Sequence, residues 1–243
     1  MIAILGAIVV LAAVLIGFTM AGGKIGALIH PSELVVIGGA ALGALIIMSP
    51  KRVLVELVKG IVQVLKGSPY DKSTCLELLG LLNALARLAR RDGMLALDSH
   101  LAEPENSDIF RQYPRVLGNP HLREFLCSAL GRIVDGSAEP SALETELEAD
   151  ITVREREHHQ VITALSKTAD SLPGFGIVAA VLGIVVTMQA IDGPVEEIGH
   201  KVGAALVGTF LGILLSYGFL APLAGRLELM GEQEVVVLRA VIL

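Results

Sequence analysis

Chemistry would have to start from the ionisable and nucleophilic side chains, and in this chain they do not form a recognisable reaction centre. His158 and His159 are adjacent. On a helix, neighbours point about 100° apart, so the two rings cannot share one metal ion. Cys75 and Cys127 are too widely separated for metal-ligand or redox spacing and read as free, buried thiols. No phosphate loop, nucleophile elbow or zinc spacing occurs. The chain therefore reads as a non-enzyme with no cofactor and no metal. Arg87, Arg90, Arg91, Asp92 and Asp98 cluster where a leucine-rich segment ends. That cluster is either a solvated helix face or an electrostatic docking patch, and the pattern alone favours the solvated face.

The remaining unusual groups act on the backbone. "SLPGFGIVAAVLGIVVTM" begins an apolar run with Pro173, Gly174 and Gly176, and "SYGFLAPLAG" places Pro222 near the end of another. A proline lacks an N–H, so Pro173 leaves the carbonyl of Ala169 without its helical donor, and Pro222 does the same to Gly218. Both positions predict a kink. Counted from the loop between the two runs, both prolines lie roughly 30 Å away at 1.5 Å per residue. They mark one depth, which predicts either passive kinks or a coupled hinge.

The elements that carry these groups are membrane spans. The composition is 53% hydrophobic and 18% charged with mean hydropathy +0.68, which is far from a soluble domain. Candidate spans are 2–20, 33–49, 172–191 and 202–225, near the ~20 residues needed to cross the hydrocarbon. The first is too long and too close to the second for a signal sequence, and is expected to be retained. No Trp is available for an interfacial belt. Outside 51–170, only Lys24, Lys201, Arg226 and Arg239 are basic. The positive-inside rule therefore puts 51–170 and both termini in the cytoplasm, with "DGPVEEIGH" outside. The charge distribution shows no basic patch for nucleic acid.

No Asp, Glu, Lys, Arg or His is expected within any of the four spans. Ion carriers keep such a group at membrane depth, so any carboxylate for ion transfer is expected from another chain. Small residues recur instead: Ala204, Gly208, Gly212 and Ser216 every fourth residue, Gly176, Ala179, Ala180 and Gly183 on one face, and Gly39 with Gly43. Such residues let helices approach closely, within one chain or between subunits. The insert reads as helical. Leu76, Leu79, Leu82, Leu85 and Leu88 form an apparent stripe stopped by Gly93, and Ser141 with Glu144 fits a capping box ahead of Leu143, Leu147, Ile151, His158, Ile162 and Leu165. The expected fold is an all-α membrane protein: four transmembrane helices with a large helical cytoplasmic insert between spans two and three. Its divisions are a membrane hairpin over 1–50, a cytoplasmic domain over 51–170, a second hairpin over 171–226, and a cytoplasmic helix starting at 227–243.

"DSLPGFGIVAAVLGIV", "VGTFLGILLSYGFLAPLA", "GGKIGALIHPSELVVIGGAALGA", "RRDGMLALDSHLAEPENSDIF" and "YPRVL" together resemble the flagellar-stator branch of the MotA/TolQ/ExbB family over essentially the whole chain. The resemblance implies a pentamer of this subunit around a dimer of a MotB-like protein. That partner would have one span, an intramembrane Asp and a peptidoglycan-binding domain. Proton flow past the Asp would turn the ring against the rotor protein FliG. By position, Pro173 and Pro222 match the family's functional prolines, and Arg90 and Asp98 its rotor-facing charges, although a longer Glu is common at the second. Sodium-driven relatives carry Thr where this chain has Ala180, while Thr209 is retained, so the resemblance implies proton coupling. Gly176, Gly183, Ala204, Gly208 and Gly212 are the expected helix-packing positions. Relatives continue past "EVVVLRAVIL", which is read as a truncation inside a helix. The alternatives are a TolQ/ExbB-like envelope energiser, whose three spans lack the N-terminal hairpin, a non-conducting membrane scaffold, and a channel or transporter that works without a partner.

Overall fold

The computed structural model describes residues 2–136, 139–189 and 191–242. Ala190 of the expected third span, Ser137 and Ala138 of the insert, and the two terminal residues lie outside the described residues. Among the described residues all regular structure is helical. The helices are α1 (Ile2–Met20), α2 (Pro31–Met48), α3 (Lys51–Lys66), α4 (Lys72–Asp92), α5 (Asp98–Ala102), α6 (Pro114–Leu117), α7 (Pro120–Val134), α8 (Pro140–Met188), α9 (Val195–Leu215) and α10 (Ala221–Ile242). Among the described residues, four helical segments are long and apolar enough to cross a membrane, Ile2–Met20, Ile25–Met48, Ser141–Met188 and Val195–Ile242. The first and fourth expected spans lie within them, whereas the second overruns its helix by Ser49 and the third extends past the helix end at Met188. The residues group into two compact units, 1–67 with 159–228, and 68–158 with 229–243. Helix α3 therefore belongs with the first two spans, and 229–243 with the insert.

In the first unit, α1 carries nineteen apolar or small residues with no charge and buries none of them within the chain. That arrangement suits a helix surrounded by hydrocarbon or by other subunits, because its backbone groups are satisfied internally. Pro31 starts α2 at a position where a missing N–H costs nothing. Pro50 cannot continue α2, and its extended backbone turns the chain into α3. There Val53, Leu57 and Val64 are buried while Lys51, Arg52 and Lys59 stay exposed. Ile37, Ala41, Leu172 and Ala179 form the unit's central apolar cluster.

The second unit has an ordinary packed core, drawn from α4, α5, α7, the start of α8 and the end of α10. It corrects the expected leucine stripe. The buried face of α4 is Thr74, Leu78, Leu81 and Leu85, whereas Leu76 and Leu79 are 60% and 55% exposed. A constant step of three falls about 60° short of a full turn each time, so those leucines spread around the helix. Alternating steps of four and three hold one face. Gly93 does end α4, with φ +92° in the left-handed half of conformational space. The proposed capping box is not used. Helix α8 begins at Pro140, one residue earlier, and the amide of Leu143 bonds the carbonyl of Glu139, leaving Ser141 within the first turn. Leu143, Leu147, Ile151, Ile162 and Leu165 are buried as their spacing predicts. His158 is half-buried, its ring set against Gly231 of α10 where any larger residue would collide.

Asp71 is the N-cap of α4. It accepts from the Thr74 amide at 2.8 Å and the Thr74 hydroxyl at 3.0 Å, and from Arg115 at 2.8 Å. The amide foremost, then the hydroxyl and the guanidinium, hold its carboxyl below the usual carboxylate range. A lowered folded-state pKa gives stabilisation that is complete above the unfolded value and is lost as pH falls through the folded one. Asp71→Ala is therefore expected to lower the thermal midpoint at neutral pH. Asp71→Asn, which keeps a capping oxygen, should lower it less. Melting the purified protein from neutral to acid pH checks this, and an Asp71→Ala curve that overlays the wild type at neutral pH would remove the cap from the argument.

Candidate functional site

The site is built on two helices that approach closely, the second half of α8 and α9. A methyl group built on Gly212 would lie 2.6 Å from the carbonyl oxygen of Leu172 and 2.9 Å from the Cα of Gly176. One on Gly176 would lie 2.9 Å from the Gly208 carbonyl and 3.2 Å from the Cα of Thr209, and one on Gly183 2.8 Å from the Ala205 Cβ. The contacts at Gly212 and Gly176 are with backbone atoms and that at Gly183 is with a methyl group, and none leaves room for a side chain. Within one chain, the seam accounts for four of the five expected packing residues: Gly176, Gly183, Gly208 and Gly212. Ala204 is the exception. It is half-exposed and faces a cavity, and Ala205 takes its place against Gly183. A strict four-residue step drifts about 40° per turn, so the seam needs the three-residue step from Ala205 to Gly208.

Ala180 and Thr209 fall on this seam. A methyl group on Gly208 would reach the backbone nitrogen of Ala180 at 3.5 Å, and the Thr209 Cα borders Gly176. Both residues are half-exposed, so each keeps part of its surface free beside the helix contact.

The two prolines are housed differently. Helix α8 runs through Pro173 without interruption. Around it, Thr168 and Ser171 donate their hydroxyls to the carbonyls of Ala164 and Thr168, both at 2.8 Å. Such back-bonding bends helices. Pro222 instead follows a π-helical turn, Ser216–Leu220. That wider turn shifts the hydrogen-bond ladder just where Pro222 could not donate to Gly218. Leu172 and Leu220, close to the two prolines, pack in one apolar cluster.

Sequence reasoning missed a carboxylate. Glu33, in the first turn of α2, is only 7% exposed, and its Oε2 has no hydrogen-bond partner among the described residues. It rests against Gly208, where an added methyl group would be 2.7 Å from Oε2. The expectation that the spans lack an ionisable group is corrected here. Glu33 is the first residue of the 33–49 span, and its position at the border of the apolar run was the available signal. Ser216, fully buried at the start of the π turn with no partner for its hydroxyl, was also missed.

The second unit carries the charged candidates. Arg90 lies in the last turn of α4 and Asp98 opens α5, on either side of the short turn Met94–Leu97. Buried Leu97 anchors that turn, and Leu95 is 81% exposed. Arg90 and Asp98 are both exposed, and neither forms an ion pair among the described residues. Arg91 and Asp92 are exposed too but satisfy each other at 2.7 Å. The cysteines are free but only half-buried, which corrects the expectation of buried thiols. Burial nonetheless pushes the Cys127 thiol up to about 11, away from reactivity.

Two family models match the sequence. Residues 4–93 match the Motility protein A N-terminal family, and residues 118–239 the MotA/TolQ/ExbB proton channel family. The chain is 40% identical over 224 residues to Motility protein A of Salmonella typhimurium, covering 92% of this chain and 76% of that protein. It is 43% identical over 223 residues to the chemotaxis protein LafT of Vibrio parahaemolyticus, covering 92% and 78%. Among solved structures, it is similar to a chain of C. jejuni MotAB, with TM-score 0.78, 25% identity, and 98% of this chain and 87% of that one covered. A chain of the flagellar MotAB stator complex of Bacillus subtilis gives TM-score 0.77 at 26% identity, covering 99% and 88%.

The seam predicts an asymmetry between glycines of α9. Gly212→Val is expected to destabilise the helix pair by roughly 1–3 kcal/mol through overpacking against backbone. Gly203→Val, where no atom lies within 4 Å of an added methyl group, should be near neutral. Thermal aggregation of the detergent-solubilised protein reports the difference, and equal loss in both variants would contradict the seam.

Proposed function

The chain belongs to the MotA/TolQ/ExbB proton channel family, and from that premise we propose that it is the ring-forming subunit of a flagellar stator that couples proton flow to torque. The observation that carries this reading is the match of 99% of the chain to a chain of the flagellar MotAB stator complex of Bacillus subtilis. The match of residues 4–93 to the Motility protein A N-terminal family includes the α1–α2 hairpin, and this favours the motility branch over a TolQ/ExbB-like energiser.

On this reading a MotB-like single-span protein is the partner. Five copies of this chain surround two of it, and its intramembrane Asp receives the proton. The apolar residues left exposed on the spanning part of α8, including Ile177, Val181, Ile184 and Val185, suit contact with lipid, with neighbouring copies and with the partner helix. The basic residues gathered in 51–170 orient that segment and both termini to the cytoplasm. Ala180 and Thr209 line the ion path. A methyl group at 180 offers no oxygen to a hard cation, which favours protons over sodium. Pro173 and Pro222 form the hinge at which ring movement reaches the cytoplasmic unit. Arg90 and Asp98, exposed and unpaired beside the apolar Leu95, form the surface that engages FliG.

Proton uptake tests the coupling. Cells expressing this chain with its single-span partner are expected to acidify under an imposed gradient, and cells expressing either protein alone should not. Uptake by this chain alone would replace the stator with a self-sufficient channel, and its absence in the assembled pair would favour a scaffold. The docking surface has its own test. Arg90→Glu should abolish or strongly slow swimming while leaving co-purification with the partner intact, and a matched reversal on the rotor should partly restore it. Wild-type swimming by Arg90→Glu would remove Arg90 from the interface.

A further inference from the structure

Glu33 is an ionisable group that the proposed mechanism leaves unused. It is 7% exposed, it lies between apolar helices, and its Oε2 has no hydrogen-bond partner among the described residues. An ionised carboxylate in such a place is costly unless something neutralises it. The residue against which its Oε2 rests across the helix contact is Gly208, which has no side chain and so provides no side-chain donor.

Two histidines connect it to the surface. His30, the N-cap of α2, stands three residues before Glu33, close enough to interact electrostatically with it. His30 is half-buried, and its Nδ1 has no partner. His200 of α9 is exposed, with its ring edge-on to that of His30 at 6.0 Å. Exposure therefore falls in steps from His200 to His30 to Glu33. Both histidines border an apolar cavity of about 670 Å³, and Val207 lines the same cavity. The next residue, Gly208, is the one against which the Glu33 oxygen rests.

The other charged groups at this end are accounted for. On α9, Lys201 pairs with Glu197 at 2.8 Å. Glu196 lies in the exposed first turn of α9, Lys24 in the exposed loop before α2, and Asp192 in the exposed loop before α9. Helix α1 contributes no titratable side chain.

We propose that Glu33 is a proton-accepting station belonging to this chain, reached from the loop end of the spans through His200 and His30, and loaded before the proton passes to the partner carboxylate. The assignment of that next acceptor rests on the stator reading; Glu33 as a proton-binding group does not. The geometry favours a proton over a metal cation. A hard cation such as sodium or calcium needs several oxygen ligands, whereas among the described residues no group of three His, Cys, Asp or Glu side chains is placed to hold one. A proton needs one lone pair, and one is free. The step balances simply: a proton adds to Oε2, leaves the carboxyl neutral, and departs again as the carboxylate reforms.

The test uses the chain with its single-span partner in membrane vesicles. Dicyclohexylcarbodiimide modifies buried carboxyl groups in their protonated form. Its adduct is mapped by mass spectrometry across a series of external pH values, alongside proton uptake. The expected result is an adduct on Glu33 that grows as external pH falls. His200→Gln should displace the midpoint of that growth without lowering its plateau, which a packing role would not do. Glu33→Gln should still co-purify with the partner, lose the adduct and lower proton uptake several-fold, with Glu33→Asp retaining more uptake than Gln. An unmodified Glu33 at every pH overturns the proposal, as does an assembled Glu33→Gln complex with wild-type uptake. If Glu33→Gln fails to assemble, labelling of the unaltered complex decides alone. Labelled Glu33 in a complex that takes up no protons would sink the stator reading and leave the proton site standing.

Discussion

Everything in the membrane unit depends on α8 and α9 touching through their backbones. Lipid tails are as apolar as leucine side chains, so burying hydrocarbon supplies little net drive for helices to associate inside a bilayer. Association must come from dispersion, which falls off steeply with distance, and a side chain at Gly176 or Gly212 would push the helices apart. The glycines also fix where everything else lies. Ala180 and Thr209 reach the seam because Gly208 and Gly176 leave room beside them, and Glu33 is buried because Gly208 gives its carboxylate somewhere to rest. A small-residue seam of this kind thus packs two helices and also forms the floor against which Ala180, Thr209 and Glu33 lie.

Much of this was legible in the sequence because membrane segments obey few rules. Four apolar runs, one charged insert and a basic bias give the architecture without any knowledge of contacts, and each expected span coincides with a long apolar helix to within a few residues at its end. Periodicity was less reliable where the step was wrong. The leucines at every third position of α4 suggested a face that the helix does not bury, and the four-residue repeat in α9 pointed to Ala204 when the contact is made by Ala205. Both errors come from treating 3.6 residues per turn as an integer. The prolines were recognisable as backbone defects, but sequence could not distinguish an uninterrupted α-helix around Pro173 from a π turn before Pro222. That difference is set by how neighbouring hydroxyls and helices take up the orphaned carbonyls.

The chain also separates its charges by task. In the second unit several ionic groups are tied locally: Asp71 to Thr74 and Arg115, Arg91 to Asp92, Arg123 to Glu105. Exposed pairs of this sort add little stability, but they neutralise one another and so remove themselves from recognition. Arg90 and Asp98 form no ion pair among the described residues and stand on either side of a turn held by buried Leu97. A group that is exposed, unpaired and fixed to a packed element retains its field for a partner. Neither residue differs in type from its satisfied neighbours, so sequence pattern favoured the solvated reading, and the family resemblance was needed to select these two from the cluster.

Glu33 sharpens the same point within the membrane. A carboxylate at the border of an apolar run is easily assigned to the loop, because hydropathy averages over a window and one acid barely changes it. What matters is the environment on the far side of the helix contact. Had position 208 carried a side chain, Glu33 would have had to turn toward the loop and its water. With glycine there, the carboxylate rests against the α9 backbone while His30 and His200 stand between it and the surface. A chain that seemed to need its partner for every ionisable group in the membrane therefore holds one of its own, and the small-residue seam that packs its helices is what keeps that group out of water.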